Sequence, residues 1–180
     1  MAWTAPKTWS VGETLTAANF NTHVRDNSRA TWREIARKSV TQSVTSSTVL
    51  VNDDALFIPV TGTEVWAFEF RILCDGASAG DIKTAFTFPA SGDLQAMGFG
   101  PSVTDVTSFV IQRYSTTTSP TATVTYGTNA ANDWMVVTVK GVYINGGTGG
   151  NLQFQWAQAA SSGTATRVKA NSQVLGQLLV

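Results

Sequence analysis

"EVWAFEFRI", residues 64–72, alternates without a break: Trp66, Phe68, Phe70 and Ile72 fall on one face, Ala67, Glu69 and Arg71 on the other. A side-chain period of two is the geometry of a strand with one face in a core and one in water. "NLQFQWAQ" (151–158) repeats it, with Leu152, Phe154 and Trp156 opposed to Gln153, Gln155 and Ala157. Trp66, Phe68, Phe70, Leu152, Phe154 and Trp156 are expected to line one core. "IKTAFTF" (82–88), "VTSFVIQRY" (106–114) and "WMVVTVKGVYI" (134–144) are further strand patterns, with weaker runs near 40–51, 55–60, 121–126, 164–169 and 174–180. The turn clusters "DGASAGD", "PASGD", "YGTNAAND" and "NGGTGGN" separate them, the last reading as a hairpin loop. About eight to ten short strands at this spacing predict a mostly β protein, an antiparallel β-sandwich of jelly-roll type. The glutamine face of "NLQFQWAQ" suits either water or the face of an identical neighbour.

Composition narrows the function classes. A chain of 180 residues has the size of one domain with a sizeable core. Charged residues make up 13 %, against roughly 25 % in ordinary soluble domains. Serine, threonine, asparagine and glutamine supply the polar surface, which suits a protein packed beside copies or partners. The net charge of zero gives the molecule no electrostatic drive towards nucleic acid or an anionic membrane, so neither is expected as a partner. Cys74 is the single cysteine, so an internal disulfide is excluded; it ends an apolar strand pattern and reads as a buried thiol. No apolar run approaches the roughly 18 residues of a membrane span. The opening "MAWTAPKTW" lacks the apolar stretch of a signal peptide, so synthesis in the cytosol is expected.

The first forty residues differ from the rest. They carry Lys7, Arg25, Arg29, Arg33, Arg37 and Lys38 against Glu13, Asp26 and Glu34, or +6 − 3 = +3, which the remainder balances at +6 − 9 = −3. Thr16 is placed as a helix N-cap, and Leu15 with Phe20 as a hydrophobic staple around it. Phe20, Val24, Thr31 or Trp32, and Ile35 recur at spacings of three to four, predicting one amphipathic α-helix. Arg25, Arg29 and Arg33 form a second stripe on another face. Ahead of the helix, Trp3, Pro6, Trp9 and Gly12 describe an extended arm with two large aromatic anchors. The chain therefore divides into an arm and helix (1–38) and a β-sandwich (39–180). Trp3, Trp9, Phe20, Val24, Arg25, Arg29 and Trp32 are the candidate partner-binding residues of the first part.

Chemistry finds little footing. His23, the only histidine, has no nucleophile at a recognisable spacing. "NDD" (52–54) is the nearest approach to a metal-ligand cluster and reads as a turn. Glu64 and Glu69 are separated by an odd number and cannot share a strand face. The glycine pairs at 146–150 are not followed by a helix or closed by a lysine, so they are no phosphate loop. No catalytic residue, metal or cofactor is expected, and no enzyme.

"TWSVGETLTAANFNTHVRDN" (8–27) resembles the opening motif of small structural proteins of tailed bacteriophages and prophages. The match runs through Trp9, Gly12, Glu13, Thr16, Ala17, Ala18, Asn21, Arg25, Asp26 and Asn27. The end of the chain, with Leu152, Phe154, Trp156, Ala157 and Gln158, resembles the last strands of the same family, and "DIKTAFTFPASG" a strand and turn of trimeric phage jelly rolls. The resemblance implies a virion structural protein made in the host cytoplasm. Head decoration or minor capsid protein is the first expectation, with the major capsid protein as partner and a homotrimeric sandwich on display. A tail-associated or receptor-binding module for host-surface glycan is the alternative. For that alternative, the loop aromatics Phe99, Tyr114 and Tyr126 are the candidates, although each fits a core or interface better.

Overall fold

The computed structural model describes residues 5, 7–27 and 33–179. Thr16 caps helix α1 (Ala17–Phe20) as its spacing predicts, its hydroxyl oxygen accepting from the Asn19 amide at 3.2 Å. The helix widens at once into a π-helical turn, Asn21–Asp26. Trp3, Arg29 and Trp32 lie outside the described residues.

Among the described residues twelve strands follow: β1 (Arg33–Arg37), β2 (Gln42–Val44), β3 (Val51–Val60), β4 (Val65–Asp75), β5 (Ile82–Thr87), β6 (Asp93–Pro101), β7 (Phe109–Arg113), β8 (Val124–Tyr126), β9 (Met135–Ile144), β10 (Gly150–Gln158), β11 (Thr166–Val168) and β12 (Gln173–Leu178). One sheet has the order β3-β10-β5-β8. The other runs β1-β12-β4-β9-β6-β7, with β11 joining β4 to β2. Every pairing is antiparallel. Stripped of β1, β2, β11 and β12, the eight strands β3 to β10 form two four-stranded sheets in jelly-roll order.

The predicted core is found where alternation puts it. Trp66, Phe68, Phe70 and Ile72 of β4 face Leu152, Phe154 and Trp156 of β10 across the sandwich, all buried. Phe70 packs on Phe86 with ring centres 5.1 Å apart and on Phe154 at 6.2 Å, so aromatic contacts tie the two sheets together. Tyr114 and Tyr126 are core residues; the Tyr114 hydroxyl donates to that of Tyr126 and is hydrogen-bonded to the Thr84 hydroxyl.

Four expectations need correction. The helix does not continue to Ile35: residues 33–37 form β1, which pairs with β12, and Ile35 packs against the core. The run Arg33-Glu34-Ile35-Ala36-Arg37 is too short for periodicity to separate helix from strand, and the edge of β12 offers it backbone partners. The sheet therefore starts inside the segment assigned to the arm. "NDD" is not a turn but the bulged part of β3, because Gln153 pairs with Phe57 while Gln155 pairs with Asn52. β6 was not expected at all; its inward positions are Leu94, Ala96, Gly98 and Gly100, too small to show a pattern. The glycines are required there, since a Cβ at Gly98 would stand 2.0 Å from the Tyr126 hydroxyl and one at Gly100 2.6 Å from its ring. Finally, the glutamine face is only half open: Gln153 is buried and donates to the carbonyl of Asp53 at 2.9 Å, while Gln155 is half-buried and donates to Asn52 Oδ1 at 2.8 Å.

Candidate attachment surface

Residues 7–27 build a small apolar surface of their own. The Lys7–Glu13 ion pair closes the loop ahead of the helix, and the Ser10 amide donates to the second Glu13 oxygen at 3.2 Å. Lys7 and that amide hold the Glu13 carboxyl below its ordinary range. The Lys7 ammonium also lies 4.8 Å from the centre of the Trp9 ring. Trp9 stands edge-on to His23 at 6.4 Å, and the His23 Nδ1 is buried without a hydrogen-bond partner.

Around this frame Trp9, Glu13, Leu15, Phe20 and Val24 line one shallow depression. Its apolar walls are open: Trp9 is 40 % exposed, Leu15 56 %, and Phe20 and Val24 47 % each. Val11, in the turn between Trp9 and Leu15 in the chain, is fully exposed. No residue of α1 is buried, and the core cluster contains none of residues 7–27. Of the expected partner-binding residues, Trp9, Phe20 and Val24 come together here, while Arg25 is exposed on the same π-helical turn. Sequence reasoning missed Leu15 as part of this surface. Leu15 was assigned to a staple with Phe20, and the two do share a wall, but both remain open to solvent.

Where the segment joins the sandwich, Lys38 is buried. Its ammonium donates to Asp53 Oδ1 and Gln42 Oε1 at 3.1 Å each and contacts the Asp54 carboxylate. Asp53 Oδ1 also accepts from the amides of Ala55 and Leu56 at 3.0 Å, and Oδ2 from the Trp156 indole at 3.2 Å. The β3 bulge is what turns these amides onto the carboxylate. The cluster fastens the residue after β1 to the opposite sheet and leaves no acceptor of Asp53 unfilled.

The other charged groups hold loops. Burial works against the Asp75 carboxylate, yet the Arg167 fork at 2.7 Å on both oxygens, the Asn132 amide at 2.9 Å and Lys169 keep it below its ordinary range. Burial pushes the Cys74 thiol up to about 12, which leaves it unreactive. Among the described residues no three His, Cys, Asp or Glu side chains are grouped to hold a metal ion. No helix of the described residues is long and apolar enough to cross a membrane.

No family model matches the chain, and no curated protein sequence matches it. Among solved structures it is similar to that of infectious bursal disease virus Gx strain, at 8 % identity over 82 % of this chain and 35 % of that one, with a TM-score of 0.22. It is likewise similar to the VP2 subviral particle of infectious bursal disease virus, at 10 % identity over 83 % of this chain and 41 % of that one, TM-score 0.23. The chain spans well under half the length of these chains, and at such scores the likeness carries no argument about function.

Proposed function

We propose that this chain is a bacteriophage virion structural protein, a decoration protein that grips the capsid through residues 7–27 and displays the jelly roll. The carrying observation is that Trp9, Leu15, Phe20 and Val24 stand exposed together around one depression, on a segment that contributes nothing to the core. Monomeric proteins seldom leave such a group of large apolar side chains open unless it is an interaction site. The same segment carries the motif that resembles phage structural proteins, and Trp9 belongs to both. The Lys38 cluster gives the reading mechanical sense: a pull on the arm is delivered into β1 and, through Asp53, into β3.

A glycan-binding role on the tail draws less support. Tyr114 and Tyr126 are buried, and the exposed Trp134 has the Lys169 ammonium 5.2 Å from its ring centre.

The test is co-sedimentation with particles that lack the protein. Removal of residues 1–30, which leaves β1 and Lys38 in place, is expected to abolish binding while the sandwich stays folded. Trp9→Ala should weaken binding by about 2 kcal/mol or more, as loss of an interface aromatic does. Truncated protein that still sediments at full occupancy overturns the proposal.

A further inference from the structure

The two sheets end in β1, β2, β3, β7 and β8. Natural sheets guard such edges with charge, proline, bulges or shortness, because an open edge is a template for another strand. β2 and β8 have three residues each. β1 is rich in charge and carries a bulge. β3 has its own bulge, Asp54 and Pro59. β7, with the sequence Phe-Val-Ile-Gln-Arg, has no proline and no bulge and a single charge, Arg113, at its end, and it shows Phe109 at 75 % and Ile111 at 64 % exposure.

The register fixes which backbone groups of β7 are free. Tyr114 donates to Ala96, Ser108 accepts from Ser102, and Thr116 exchanges both bonds with Leu94, so the even-numbered residues bond to β6. In an antiparallel ladder the bonded positions alternate, so the N–H and C=O groups of Phe109, Ile111 and Arg113 point away from the sheet. These are also the three residues whose side chains lie on its outer, exposed face.

We propose that two copies of this chain pair antiparallel through β7 about a two-fold axis at Ile111, joining their sheets into one. This register matches all five residues of the strand, Ile111 to Ile111 and Phe109 to Arg113 of the second copy. The three outward-facing positions then form three bonded pairs, or about six backbone hydrogen bonds across the axis. Side chains fit as well: each Arg113 guanidinium comes beside the Phe109 ring of the other copy, a favourable cation–π placement. A register centred on Arg113 would set like charges opposite each other, which disfavours it. The interface is isologous, as a closed dimer requires. It leaves both N-terminal segments available, so the dimer would attach bivalently. A homotrimer, the assembly that the resemblance to phage structural proteins implies, closes by unlike contacts and has no use for this self-complementary edge.

The experiment is light scattering on the full chain, together with Ile111→Lys and Ile111→Cys. The wild type is expected to be a dimer at micromolar concentration. Ile111→Lys sets two ammonium groups face to face and should give a folded monomer, since Ile111 is on the outer face, melting below the wild type only by the stability that dimerisation adds. In Ile111→Cys the paired Cα atoms lie about 5.5 Å apart, within the roughly 4.4–6.8 Å a disulfide spans. Mild oxidation should therefore link that variant quantitatively, and Val49→Cys, equally exposed but remote, should not link. Cys74 is buried and does not confuse the readout. A wild-type monomer or trimer, a dimer that survives Ile111→Lys, or failure of Ile111→Cys to link overturns the proposal.

Discussion

Replacing Lys38 by methionine removes the cation from a cluster in which its side chain is 1 % and that of Asp53 0 % exposed. Breaking a buried pair by deleting one partner costs about 3–5 kcal/mol, because the other charge stays desolvated. Two features set the value within that range. Asp53 keeps three donors, the amides of Ala55 and Leu56 and the Trp156 indole. Asp54 is 58 % exposed and returns to water, so its share of the network is worth roughly 1 kcal/mol or less. Lys38→Met should therefore cost about 3 kcal/mol, the low end of the range. Asp53→Ala should cost more, about 5 kcal/mol, since it orphans the buried Leu56 amide, the half-buried Ala55 amide and an indole, and leaves Lys38 with Asp54 and Gln42 alone. Urea titration followed by tryptophan fluorescence measures both, as midpoint shifts at constant slope. A loss under about 1 kcal/mol for Lys38→Met refutes the reasoning. So does a larger loss for Lys38→Met than for Asp53→Ala.

Phe154→Ala removes a ring packed between Phe70 and Phe86 and should cost about 3–5 kcal/mol in the same titration; a loss below 1 kcal/mol would mean that the face is not buried. Gly98→Ala places a methyl against the Tyr126 hydroxyl and the Tyr114 ring, so a loss of about 1–3 kcal/mol or more is expected where a solvent-facing Gly→Ala change would be neutral. Asp75 has a depressed folded-state pKa, so its contribution is fully present above the unfolded value of about 3.9 and is lost as pH falls through the folded value. Asp75→Asn should therefore be less stable than wild type near neutrality and show a flatter decline below about pH 4; parallel acid titrations of the two proteins would contradict this.

How far the sequence could be read depends on side-chain size. β4 and β10 were legible because large apolar residues alternate with polar ones along their whole length. β6 was invisible because its inward face is filled from the opposite direction, by Tyr114 and Tyr126, and needs glycine where other strands show an aromatic. β1 was misread because its five residues fit both periods, and only the waiting edge of β12 decides between them. Lys38 looked like the last basic residue of a helix; its burial depends on Asp53, fifteen positions away on a bulge that no local pattern reveals. The attachment surface was legible in part. Trp9, Phe20 and Val24 stood out by size and spacing, whereas Leu15 joins them only through the turn that Lys7 and Glu13 close.

The central claim is that the N-terminal segment is the grip and the jelly roll the displayed part. A cryo-electron-microscopy reconstruction of the intact particle tests it most directly. The account predicts sandwich density standing outside the capsid shell, with Trp9, Leu15, Phe20 and Val24 pressed into grooves of the shell subunits. Density in which a sandwich face lies on the shell while residues 7–27 stay in solvent, or density confined to the tail, would contradict it.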